Sequence, residues 1–81
     1  MNLSIGIKDV AGSAALPQSQ IGETVRRSRQ DMGYSIDDLA VTCGLTGAEI
    51  SRIEIGADID PARLRRVANA LRLPVERLTG A

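Results

Sequence analysis

Arginine carries most of the chemistry available to this 81-residue chain. Nine of its ten cationic side chains are arginine, set against ten Asp and Glu, for a formal net charge of +0. The planar guanidinium fork suits paired hydrogen bonds to phosphate or carboxylate, so the chemistry to look for is the recognition of an anion. Other reactive types are scarce. There is no histidine, and Cys43 is the single cysteine. That excludes an intrachain disulfide, Cys/His zinc sites, and nucleophiles that depend on a Cys–His or Ser–His pair. No metal or other cofactor is expected. Tyr34 is the one aromatic residue, so single-stranded nucleic acid would find no stacking platform. With no clustered acid–base or nucleophilic groups, an enzyme is the least expected reading.

The elements that must position these arginines read as helices. Residues 1–19 form an arm: Leu3, Ile5 and Ile7 alternate with polar or small residues, which fits a flexible tail or one short strand. Residues 12–19 are small, polar and broken by Pro17, as in a linker. From Gln20 the pattern turns helical, with Ile21, Val25 and Met32 on one face and Gly33 as the stop. Ser35 is a good N-cap for a second helix, with Asp38 three residues on and Ile36, Leu39 and Ala40 facing inward until Gly44. The third opens with the capping box Thr46-Gly47-Ala48-Glu49, buries Ile50 and Ile53, and stops at Gly56. Asp60-Pro61 opens a fourth, with Leu64, Val67, Ala68 and Leu71 as its apolar stripe. After Pro74 a short fifth turn, residues 75–79, brings Leu78 to the core. The expected fold is all-α: a compact five-helix domain over residues 20–81 preceded by the arm. Cys43 lies on the apolar side of its helix and reads as a small core residue rather than a redox sensor. No run spans a membrane, no signal-peptide order is present, and one reduced thiol fits a cytoplasmic location.

The second and third helices are separated by very few residues, with Gly44 at the corner, so they must cross steeply. Ala40 is small where that crossing falls, and Leu39, Cys43, Leu45, Ile50 and Ile53 occupy the inward spacings. One face of the third helix is then free to enter a major groove. The run from Ile36 to Gly56, with Leu39-Ala40, Gly44 and Ile50-Ser51-Arg52-Ile53-Glu54-Ile55-Gly56, resembles the Cro and lambda-repressor (XRE-type) helix-turn-helix family. The resemblance extends over residues 21–78.

What this resemblance implies is a five-helix module that binds operator DNA as a two-fold dimer, with residues 46–55 in the major groove. Gly47, Ala48, Ser51 and Arg52 would approach base edges, with Thr46 near the backbone. The Arg52 fork is suited to guanine O6 and N7. Arg29 and Glu54 fall on the family's internal ion pair. Ser35 and Arg63 complete the candidate DNA-binding set; by their outer positions on the fourth helix, Arg63, Arg65 and Arg66 fit either phosphate contacts or a solvated basic face. The sequence departs from the family in two places. Ile36 stands where many relatives carry Gln, followed by Asp37 and Asp38, and the loop after the third helix holds Asp58 and Asp60. These four acids oppose the attraction to phosphate, although helix capping accounts for Asp38 and Asp60. The function implied is a dimeric transcriptional repressor. The alternative is an antitoxin that holds a toxin through residues 1–19 and autoregulates its operon.

Overall fold

A computed structural model describes residues 16–80. The strand expected at Leu3, Ile5 and Ile7, and most of the arm, lie outside the described residues. Among the described residues five helices follow in chain order: α1 Gln18–Asp31, α2 Ile36–Cys43, α3 Gly47–Glu54, α4 Pro61–Leu71 and α5 Val75–Thr79. No strand occurs among the described residues. None of their helices is long and apolar enough to cross a membrane.

Local chemistry sets most of the boundaries. At the start of α2 the Asp38 amide donates to Ser35 Oγ and the Ser35 amide donates to Asp38 Oδ2, both at 2.9 Å. Thr46 and Glu49 repeat the exchange at α3, at 3.1 and 2.9 Å. Each box satisfies backbone donors that a helix start leaves open. Asp60 caps α4 by accepting from the Arg63 amide, with Pro61 in the first turn. Gly44 closes α2 in the left-handed conformation at φ 73°, which costs glycine nothing. Arg72 adopts φ 59° at the end of α4, and the Leu73 amide reaches back to Ala68 O at 2.9 Å.

Two expectations are corrected at α1. The helix begins at Gln18, two residues before the expected start at Gln20, because Pro17 supplies a helix-compatible φ and its carbonyl accepts from Gln20. Leu16 is also drawn in, its amide donating to Arg77 O of α5 at 2.9 Å. At the other end Met32 is 40% exposed and outside the core. The helix stops at Asp31 and the chain turns through Gly33, so the next residue in the period leaves the face it was counted on.

The core is a single cluster drawn from all five helices. Val25, Leu39, Ile50, Ile53, Leu64 and Val67 are its largest wholly buried side chains, and Leu78 of α5 closes one end. One contact uses no side chain at all. A Cβ placed on Gly22 of α1 would fall 2.2 Å from Glu54 O and 2.7 Å from Ile53 O. The backbones of α1 and α3 therefore meet directly, and Gly22 sets how closely α3 is held.

Candidate nucleic-acid interface

The corner between α2 and α3 is built from Gly44, Leu45 and Thr46. The Leu45 amide returns to Ala40 O at 2.9 Å, and Ala40 itself is buried at the crossing. Arg66 of α4 braces the turn by donating to Gly44 O at 3.3 Å. From the underside α3 is anchored by Ile50 and Ile53, both buried. Its opposite side is solvent-facing: Ala48 and Arg52 are exposed, and Gly47 and Ser51 are half-buried. Four of the candidate residues thus share one face of one short helix, with the exposed Thr46 capping its start.

The outer end of that helix is pinned by the ion pair. Arg29 Nε donates to Glu54 Oε2 at 2.6 Å and Nη2 to Oε1 at 3.0 Å. The same guanidinium donates through Nη1 to Tyr34 O at 3.0 Å. Arg29 therefore ties α1, the α1–α2 loop and α3 at one point, with side chains only 10% and 7% exposed. The hydrogen bond to Glu54 raises the Arg29 pKa further above its already high ordinary value, so the cation is permanent.

The remaining candidates separate. Ser35 is exposed at the start of α2, where its hydroxyl serves the capping box. Arg63 is committed elsewhere: its Nε donates to Asp58 Oδ2 at 2.7 Å and Nη2 to Oδ1 at 3.3 Å, and Nη1 lies 3.9 Å from Glu49 Oε2. Sequence reasoning missed this clamp, whose only signal is a loop acid five residues before a helix arginine. Three of the four acids around the motif are thereby explained as structure. Asp38 and Asp60 cap helices, while Asp58 accepts from Arg63 and from the Asp60 amide. Arg26 and Arg27 close on Glu23 of their own helix. Among the described residues no hydrogen bond or ion pair engages the Arg52 guanidinium.

These contacts fix the response to pH. The Ser35 backbone amide holds Asp38 below the usual carboxylate range, the Thr46 backbone amide does the same for Glu49, and the Arg63 guanidinium for Asp58. A depressed folded-state pKa stabilises the fold above the unfolded value and loses that contribution as pH falls through the folded one. Burial pushes the Cys43 thiol up, which has the opposite sign and acts on the alkaline side. With no histidine in the chain, thermal unfolding is expected to vary little between about pH 6 and 8 and to weaken steadily below about pH 5. A midpoint that rose on acidification would contradict these assignments.

A fold of this kind, with a three-residue corner between α2 and α3 and an open outer face on α3, is that of a helix-turn-helix module. The helix-turn-helix domain family model matches residues 20–79, and the chain belongs to that family. It is similar to the HTH-type transcriptional repressor RghR of Bacillus subtilis (strain 168), 37% identical over 59 residues. That match covers 70% of this chain and 44% of the relative, so the chain spans less than half the length of the curated protein it matches.

Proposed function

We propose that this protein is a sequence-specific transcriptional repressor that reads operator DNA with the outer face of α3 in the major groove, as a two-fold dimer. The observation that carries the reading is the pairing of a rigidly held α3 with an Arg52 guanidinium on its open side that makes no hydrogen bond or ion pair among the described residues. A major groove about 12 Å wide admits a helix, and a guanidinium fork there pairs with guanine O6 and N7. Gly47, Ala48 and Ser51 keep the surface low enough for close approach, Ala48 offering a methyl contact to thymine. Similarity to a protein named as a transcriptional repressor supports the regulatory role.

Affinity in this reading rests on few phosphate contacts, because the net charge is +0 and Arg63 is occupied by Asp58. Specificity therefore depends heavily on base contacts. Selection from a randomised duplex pool is expected to enrich a two-fold motif containing guanine in each half-site. Arg52→Ala should flatten the guanine preference at one position per half-site, a loss of about 1–3 kcal/mol of discrimination. An unchanged motif from the Arg52→Ala protein would remove Arg52 from the interface.

A further inference from the structure

Of the four acids around the motif, Asp37 is the one whose carboxylate accepts no hydrogen bond or ion pair among the described residues. It is exposed, at the second position of α2. Its place is nevertheless defined by α3: a Cβ added to Gly47 would stand 3.0 Å from Asp37 Oδ1. The carboxylate thus lies against the first residue of α3, at the end of the row formed by Gly47, Ser51 and Ile55. The absence of a side chain at Gly47 leaves the room it occupies.

We propose that Asp37 is a base-reading residue, its carboxylate accepting a hydrogen bond from the N4 amino group of a cytosine in the major groove. The inference rests on the α3 reading above. An ionised carboxylate is acceptor-only. In the major groove only cytosine N4 and adenine N6 offer it a donor, and on adenine that donor sits beside the N7 acceptor, which repels an anion. Guanine and thymine present acceptors there. An exposed acid turned toward DNA also weakens binding to every sequence. A cytosine at the right position offsets that repulsion and other bases do not, so Asp37 raises selectivity more than affinity. The competing role, complementing the dipole of the first turn of α2, acts on stability and carries no base preference.

The test is duplex selection and sequencing with the wild type, Asp37→Asn, Asp37→Ala and Arg52→Ala, each checked for helix content by circular dichroism. Asp37→Ala is expected to lose a cytosine preference of about fivefold or more at one position and to bind random DNA more tightly. Asp37→Asn should move that preference toward adenine, whose N6 and N7 suit an amide. Arg52→Ala should leave the cytosine position intact. If both Asp37 variants return the wild-type motif, whatever their affinity, or if they lose their helix signal, the inference is overturned and the repressor reading stands. A wild type that enriches no motif overturns the repressor reading itself, and this inference falls with it.

Discussion

Glu54→Ala is expected to cost about 3–5 kcal/mol of stability, enough to leave a domain of this size largely unfolded. The change removes both oxygens that hold Arg29 Nε and Nη2. It strands a guanidinium that is 10% exposed and whose only other partner among the described residues is the Tyr34 carbonyl. The large term is the unpaired buried cation rather than the strength of the pair. A double replacement, Arg29→Met with Glu54→Leu, removes both charges and keeps apolar volume, and it should recover most of the loss. Urea unfolding followed by circular dichroism separates the cases. A Glu54→Ala midpoint equal to that of the wild type would place the pair at the surface, contrary to its burial.

Gly22→Ala tests the other fixed point of α3. By helix propensity alone, alanine in the interior of α1 should stabilise by about 1 kcal/mol. The new methyl would instead fall 2.2 Å from Glu54 O and 2.7 Å from both Glu54 C and Ile53 O. These are backbone atoms and have no rotamer to escape into, so α3 must lift away from α1. Overpacking of this kind costs about 1–3 kcal/mol and sometimes more. The net expectation is a loss of roughly 2 kcal/mol, with the Arg29–Glu54 geometry disturbed as well. Thermal melting decides the sign: a rise in the midpoint would mean that α1 and α3 are not in backbone contact.

The features legible in the sequence are the local ones. Ser35, Thr46 and Asp60 announce helix starts because the cap is made within three residues, and Gly44 announces a stop through its own φ. The outer face of α3 follows from the spacing of Ile50 and Ile53 and needs no tertiary information. What escaped was tertiary or lacked a pattern. Gly22 has no side chain to enter any periodicity, and its importance exists only once α3 is laid across it. Met32 obeys the period of α1 but stands one residue past its end. Arg63 looked like a free cation on the fourth helix, while its partner Asp58 sits in a loop where no regular spacing applies. The polar first turn of α1 carries no apolar signal, so the period alone places the start two residues after Gln18.

The central question is whether α3 reads a DNA sequence. The most direct measurement is fluorescence anisotropy of the protein with the duplex upstream of its own gene, across a salt series, with a scrambled duplex as control. A repressor that reads sequence with α3 binds the upstream duplex tightly, with affinity that weakens as salt rises, and binds the scrambled duplex far more weakly at every salt concentration. Equal binding to both duplexes, or no binding even at low salt, would mean that α3 reads no DNA sequence.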